Sequence, residues 1–266
     1  MGEACDRVGS AMKSARRAAL CAALFTTVFA LAPSPGRAVE ASVESLGYRV
    51  DVAGIRVGTF ELEVERREDA YEARLDGRYR VLFWSGAFSA ETKGVFAENA
   101  PAPTLFRAES QSDRPSTSEI AFAPGEGPTR WGRTPPAPAK WTKGRLPLKE
   151  EHLAGSLDPL SAIAGSLLKP DPAEASALCQ EPLRIFTGFT VFQLDFTKAE
   201  PRGRSRLRCS ARYTALSGHR ADSRSVKRLS GPEAIRISYR QNDAGLWSVA
   251  SVSMPTTVGT LTVKRR

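Results

Sequence analysis

The chain has 266 residues, a formal net charge of +9 and 41% hydrophobic residues. This length is enough for a sizeable core without a metal or cofactor, and it suits one large sheet-rich domain. The positive charge favours anionic partners such as lipid head groups, with a basic protein that has no specific anionic ligand as the simpler alternative.

Residues 1–38 have the pattern of a secretion signal. Basic residues at positions 13–17 precede residues 18–32, an uncharged run that is too short for a lasting membrane anchor. Small residues permit cleavage after Ala32 or Ala38, and we favour Ala38 because the alternating pattern of the remaining chain begins soon afterwards. An uncleaved anchor is the alternative. The pattern predicts export to the periplasm, where no nucleic-acid partner is expected.

Residues 39–266 are expected to form a single β-rich domain. Apolar and charged side chains alternate along residues 71–83 and again along residues 206–215, as in antiparallel strands with one wet face. Shorter alternating runs predict strands at residues 48–57, 60–64, 104–108, 191–196, 235–239, 247–252 and 259–263. The apolar phase switches at Gly58, where we expect a bulge or bend.

Prolines interrupt the alternation at residues 123–140, which contain five of them. Because proline cannot donate a hydrogen bond to a sheet ladder, this stretch predicts a long loop rather than a central strand. Trp131 and Trp141 are expected to hold the loop against the body of the domain.

One helix is predicted at residues 158–168. Asp158 suits the N-cap and Pro159 suits the first helical position. An apolar stripe follows, formed by Leu160, Ile163, Ala164, Leu167 and Leu168. One-sided strands, a bend and a single amphipathic helix together predict a mainly β fold. It is expected to be a curled antiparallel sheet, an open or half β-barrel, with the helix packed on its concave face.

Two cysteines, Cys179 and Cys209, remain once residues 1–38 are removed. An even pair in an oxidising compartment predicts a disulfide bond. Residues 198–205 have the composition of a hairpin turn, which would bring the two cysteines together. Two buried free thiols are the alternative, whereas a zinc site is disfavoured because the chain has no Cys-x-x-Cys and only two histidines.

No residue pattern in the sequence predicts an active site. His152 and His219 lie outside any hydrolase or metal-binding motif, and both are expected to be solvated surface side chains. Glu150 and Glu151 are adjacent, so they cannot face one site, and no glycine-rich phosphate loop is present. We therefore predict a non-enzymatic protein with no catalytic residue, no metal and no cofactor.

Several segments, in this order, carry a resemblance to a known family: Gly-Tyr-Arg-Val at 47–50, Val-Gly-Thr-Phe at 57–60, Leu-Asp-Pro-Leu-Ser-Ala at 157–162, Ile-Phe-Thr-Gly at 185–188 after Cys179, and Cys-Ser-Ala-Arg-Tyr at 209–213 before Ser-Gly-His at 217–219. With them the chain resembles the DUF 3108 family of exported bacterial envelope proteins, which is similar in fold to periplasmic lipoprotein carriers. The resemblance implies a partial barrel that holds an apolar ligand or partner, and it supplies no catalytic residues.

We expect the protein to bind a lipid, an acyl chain or a lipidated partner such as a lipoprotein in the cavity of the half-barrel. The residues predicted to line this cavity are Tyr79, Val81, Phe83, Leu160, Ile163, Leu167, Phe192, Leu194, Phe196, Ile237 and Tyr239. A filled core would use the same side chains. The alternative function is a structural or protein-interaction factor that supports cell-envelope integrity, for which Arg206, Arg208, Arg212, Trp131 and Trp141 would provide the surface.

Overall fold

The alternating segments form thirteen strands in the part of the chain that the structure describes. The structure is a computed structural model, and it describes residues 42–81, 84–97, 100–112, 114–168, 175–243 and 245–266. The predicted signal peptide, residues 1–38, lies outside them. The strands are β1 (Ser42–Val52), β2 (Ile55–Arg66), β3 (Ala70–Val81), β4 (Trp84–Ala97), β5 (Ala100–Gln111), β6 (Ser116–Ala123), β7 (Gly127–Thr134), β8 (Leu183–Phe186), β9 (Val191–Pro201), β10 (Arg206–Ser217), β11 (Ile235–Gln241), β12 (Trp247–Thr256) and β13 (Gly259–Arg265).

Short helices accompany the strands within the same described ranges. They are α1 (Ala139–Thr142), α2 (Glu150–Leu153), α3 (Pro159–Leu168), a 3-10 helix (Ala175–Cys179) and α4 (Arg224–Leu229). None of these helices is both long enough and apolar enough to span a membrane.

All the strands join one sheet in the order β7-β6-β5-β4-β3-β2-β1-β13-β12-β11-β10-β9-β8. Strands that follow each other in the chain pair antiparallel, except β7 and β8, and β1 pairs with β13, so the first and last strands meet in the middle of the sheet. The sheet curls into a nearly closed barrel whose edges are β7 and β8. The predicted fold class, a mainly β, curled antiparallel sheet, is confirmed, although only one of the short helices was predicted.

The seam between the two edge strands is closed by the chain that leads into α3. The backbone N–H of Leu157 donates to the carbonyl oxygen of Arg184 at 2.9 Å, and the N–H of Phe186 donates to the carbonyl of Leu157 at 2.8 Å. Trp131 of β7 also meets the ring of Phe186 edge-on, with 5.2 Å between centroids. The two backbone bonds satisfy ladder groups of the β8 edge that would otherwise be unpaired, and the ring contact joins the two edges.

The predicted helix and its N-cap are confirmed in α3. The Oδ1 atom of Asp158 accepts hydrogen bonds from the backbone N–H groups of Leu160 and Ser161, at 2.8 and 2.9 Å. Leu160, Ala164 and Leu167 are buried against the inner face of the sheet, mainly on β3, β5 and β12. The helix therefore lies inside the curl, as the amphipathic pattern indicated.

The expected bulge at Gly58 is present, although the strand assignment around it was incomplete. A register shift between β1 and β2 leaves Val57 as an extra residue beside Gly58. The prediction of one strand at residues 48–57 is wrong, because a turn at Ala53 and Gly54 ends β1 and begins β2. Both turn residues have positive φ, 49° and 83°, which reverses the chain.

The Pro-rich stretch is not one long loop, so that prediction for residues 123–140 is corrected. β7 occupies Gly127–Thr134 and pairs with β6, and only residues 135–138 connect it to α1. β7 is an edge strand, where proline is tolerated because one side of the strand needs no ladder partner. Trp141 packs against the guanidinium of Arg133 at 5.0 Å, so this connection is held to β7.

The alternating pattern does not predict β4, because glycines replace apolar residues on its inner face. Gly86 faces Tyr79 and Gly94 faces Tyr71 across the β3–β4 ladder. A Cβ atom on Gly94 would lie 2.5 Å from the Tyr71 ring and from the carbonyl oxygen of Ala102. The tyrosine rings thus cover the glycine backbone and supply the apolar contact that β4 itself lacks.

Candidate ligand-binding cavity

Two hydrophobic clusters fill parts of the space inside the curled sheet. The helix-side core joins α3 to β1–β3, β5 and β6, and it includes Leu62 and Leu160. The disulfide-side core joins the 3-10 helix to β10–β12, and it includes Leu207, Cys209 and Trp247. A cavity of about 630 Å³ lies between them, lined by residues that belong to or pack against both cores.

The wall of this cavity is predominantly apolar. It is built from β1–β4, β8–β13, the start of α3 and the end of α4. Because side chains alternate along each strand, every second residue of these strands faces inward, and those positions carry mainly aliphatic and aromatic groups. Among the described residues that line the cavity, Arg78 alone carries a formal charge.

Four tyrosines line the cavity, and burial favours the neutral form of three of them, Tyr48, Tyr213 and Tyr239. Burial raises the pKa of Tyr48 to about 12, and it also raises the pKa of Tyr213 and of Tyr239. The Tyr48 hydroxyl donates to the carbonyl oxygen of Val249 at 2.8 Å. These groups therefore leave the apolar character of the wall unchanged.

Six of the eleven residues predicted to line the cavity do so, namely Tyr79, Ile163, Phe192, Leu194, Ile237 and Tyr239. They come from β3, α3, β9 and β11, four elements that are distant in sequence. The curl of the sheet brings them together. Ile163 lies at the margin of the buried stripe of α3 and is 39% exposed.

Four of the other predicted lining residues lie elsewhere. Leu160 and Leu167 belong to the helix-side core, because they occupy the stripe of α3 that packs directly on the sheet. Phe196 packs against the disulfide-side core. Val81, at the end of β3, is 41% exposed and does not face the cavity. Phe83 lies outside the described residues.

The sequence pattern also left out part of the wall. Val50, Val252 and Val263 line the cavity, and each lies in a run that alternation had marked as a strand. The same period-two signal could therefore have found them. Phe88 could not be found in this way, because it lies on β4.

The predicted disulfide bond joins Cys179 and Cys209, whose Cα atoms are 6.2 Å apart. Both cysteines are buried, with 6% and 0% exposure. The predicted β9–β10 hairpin is also present, but it does not set the cysteines opposite each other, because Ala199 is the cross-strand partner of Cys209. Cys179 instead ends the 3-10 helix, so the bond fastens that helix to the inner face of β10.

The expectation of a solvated His219 is wrong, because this side chain is only 9% exposed. Its Nε2 atom lies 3.1 Å from the carbonyl oxygen of Val191 and 3.3 Å from the hydroxyl of Tyr213. Burial lowers its pKa, a hydrogen bond to Val191 raises it, and the nearby Arg145 lowers it further. His219 is therefore a neutral packing residue of the β9–β10 end rather than a surface group.

Asp158 is the centre of a fully buried polar network. Its Oδ2 atom accepts hydrogen bonds from the hydroxyls of Ser161 at 2.5 Å and Thr92 at 2.9 Å. The Tyr71 hydroxyl lies 2.8 Å from the Ser161 hydroxyl. Burial raises the pKa of Asp158, while the hydrogen bonds that it accepts act in the opposite direction. The network is sealed from the cavity and serves to anchor α3 to β3 and β4.

Within the described ranges, no three histidine, cysteine, aspartate or glutamate side chains come together as a metal site. Comparison with models of protein families, with curated protein sequences and with solved structures finds no match to this chain. The resemblance to the DUF 3108 family therefore stays a prediction, and function has to be inferred from the cavity.

Proposed function

We propose that this is a non-enzymatic periplasmic protein that binds a lipid, an acyl chain or the acyl group of a lipidated partner between its two cores. The cavity of about 630 Å³ with its apolar wall carries the proposal. Protein interiors are close-packed, and voids larger than a water molecule are few. Ligand sites, by contrast, measure about 300–1,000 Å³ and are lined mainly by apolar side chains.

The chemistry of the wall favours a hydrocarbon chain over a polar ligand. A polar ligand would give up hydrogen bonds to water, and the wall offers few groups to replace them. The hydroxyl of Tyr48, for instance, already donates to a backbone carbonyl. An acyl chain loses no hydrogen bonds on entry and gains about 0.8 kcal/mol for each methylene group that it buries.

Native mass spectrometry of the full chain purified from cells, followed by solvent extraction, tests the proposal directly. We expect an added mass that corresponds to a lipid or fatty acid, and we expect the stripped protein to take up a fluorescent fatty acid. A clean protein mass together with no uptake of the probe would rule out the proposed function.

A cavity-filling variant links that uptake to this site. Ala162 lies on α3 and lines the cavity, so Ala162→Trp would occupy space that a chain needs. We expect affinity for the fluorescent fatty acid to fall roughly tenfold or more, because several methylene groups lose their burial. Leu146→Trp is the matched control, since Leu146 is half exposed and lies away from the cavity. Equal binding by the two variants would contradict the assignment of the site.

A further inference from the structure

β2 and β3 separate at one end of the cavity. Their pairing stops where Gly58 faces Tyr79, although β2 begins at Ile55 and β3 continues to Val81. Beyond that point β2 pairs with β1 and β3 pairs with β4, but not with each other. The wall of the barrel is therefore interrupted between residues 55–57 and 80–81, and we call this interruption the notch.

An outer pocket of about 520 Å³ lies at the notch. It shares five lining residues with the cavity: Val57, Gly58, Thr59, Arg78 and Tyr79. The bulged residue Val57 and its neighbour Gly58 both lie at this junction. The apolar cavity thus adjoins the outer surface through the notch.

Three arginines, Arg56, Arg78 and Arg80, line the outer pocket, and no acidic residue lines it. All three are exposed. No ion pair joins any of them to an acidic residue within the described ranges, and this includes Asp76, which is two residues from Arg78 on the same strand face. The notch therefore combines positive charge with an adjoining apolar cavity.

We infer that the notch binds the anionic head group of an amphiphile whose alkyl chain occupies the cavity. The guanidinium fork is suited to carboxylate and phosphate oxygens, and such charge-assisted hydrogen bonds are about twice as strong as neutral ones. The inference rests on the proposed function and narrows it, because it names the ligand class as a carboxylate or phosphate with a hydrocarbon chain.

Three probes with the same alkyl chain separate the contribution of the head group from that of the tail. They are dodecanoate, dodecyl phosphate and dodecanol. Their affinities for the full chain are measured by displacement of a fluorescent alkyl probe. In the double variant Arg78→Gln/Arg80→Gln we expect affinity for the anions to fall about tenfold. The loss is modest because water weakens each of the two exposed charged contacts. Affinity for dodecanol should not change. The anionic preference of the wild type should also shrink as salt is added.

The double variant Arg206→Gln/Arg208→Gln is a matched control. Arg206 and Arg208 are also exposed, also two residues apart on one strand, and far from the notch in the sheet order. It removes the same charge, so we expect it to bind all three probes as the wild type does. An equal loss of anion affinity in the two double variants would overturn the inference, because the net positive charge of the protein, and not the notch, would then explain the preference for anions.

The remaining outcomes distinguish this inference from the proposed function. A gain in affinity for either anion over dodecanol that requires Arg78 and Arg80 supports the inference, and the better anion identifies the head group. Equal binding of dodecanol and the anions by the wild type overturns the inference and leaves the proposed function standing. Binding of inorganic phosphate without any gain for the alkyl anions also overturns it. Failure of all three probes to bind overturns both.

Discussion

A single carboxylate fastens α3 to the sheet. Asp158 accepts four hydrogen bonds, two from the backbone of its own helix and two from hydroxyls of Ser161 and Thr92. Each buried donor that loses such a partner costs about 1–3 kcal/mol. Since α3 covers the helix-side core and borders the cavity, the stability of this one contact bears on the site as well.

Substitution of Asp158 should therefore show graded losses of stability. We expect Asp158→Ala to lower the free energy of unfolding by about 2–4 kcal/mol, since it removes the cap and leaves buried donors unpaired. Asp158→Asn should lose less, because its Oδ1 atom still caps the helix. Urea denaturation measures both, with the exposed Asp222→Ala as a control that should change stability by about 0.5 kcal/mol or less. Equal losses in the alanine and asparagine variants would be inconsistent with a capping role.

His219 should make stability depend on pH. Its folded pKa is lowered, chiefly by burial, so below about pH 6.5 the unfolded chain binds a proton that the folded chain resists. The contribution of the neutral side chain is present above that pH and is lost as the pH falls. Urea denaturation at pH 7.5, 6.5 and 5.5 should show wild-type stability falling relative to His219→Gln. Parallel profiles for the two proteins would show that His219 does not titrate in this way.

These two residues mark what sequence can and cannot establish at this scale. The role of Asp158 is local, because its side chain caps N–H groups only two and three residues further on, and it was predicted from its place just before Pro159 and the apolar stripe. The burial of His219 depends on Val191 and Tyr213, which reach it only through the register of β9 and β10. In the sequence alone, a histidine directly after Ser-Gly indicates a solvated turn. Only the pairing of β9 with β10 shows that His219 is buried.

At the level of elements, the disulfide bond fixes the 3-10 helix over the inner face of β10. Thirty residues separate Cys179 from Cys209, and the bond lies within the disulfide-side core. In a chain-entropy description a closed loop of this size contributes about 3–4 kcal/mol, mostly by restricting the unfolded chain. The 3-10 helix would otherwise have only its few packing contacts to hold it.

We expect no reactive thiol from this pair in the unfolded, unreduced protein. Replacement of either cysteine by serine should lower the free energy of unfolding by about 2–5 kcal/mol, and it also places a hydroxyl in an apolar setting. A thiol assay on the denatured protein tests for free thiols, and urea denaturation measures the loss of stability. Wild-type protein assayed after reduction is the control, and its stability should approach that of the serine variants. Two reactive thiols from Cys179 and Cys209 before reduction would refute the bond.

Elements with strong local patterns were predicted, and those with weak ones were not. In sequence, apolar and polar residues alternate along β3 and along residues 206–215 of β10, and α3 has a cap and an apolar stripe. β4 depends on tyrosines of β3 to cover its glycines, and β7 tolerates proline because it is an edge. The notch follows from where the pairing of β2 and β3 stops, which is a property of two strands and cannot be found in either one alone.

At the scale of the whole molecule, the existence of a cavity is a matter of strand number. The diameter of a barrel grows with its strands, and about eight strands enclose a space that side chains can just fill. A sheet of thirteen strands encloses more than that, and here α3 and the 3-10 helix fill the space only in part. Alternation shows which side chains face inward, but the distance between the walls depends on how many strands join one sheet.

The central position of β13 has a consequence for the order in which the sheet folds. β13 lies between β1 and β12, and Arg265 pairs with Tyr48 from the other end of the described chain. Before β13 pairs, therefore, β1–β7 and β8–β12 are two separate sheets, with open edges at β1 and β12. Pairings between such distant segments form slowly, and open edges invite association with other chains. A chaperone that keeps the unfinished fold from associating would have those two edges to shield until β13 has paired with both of them.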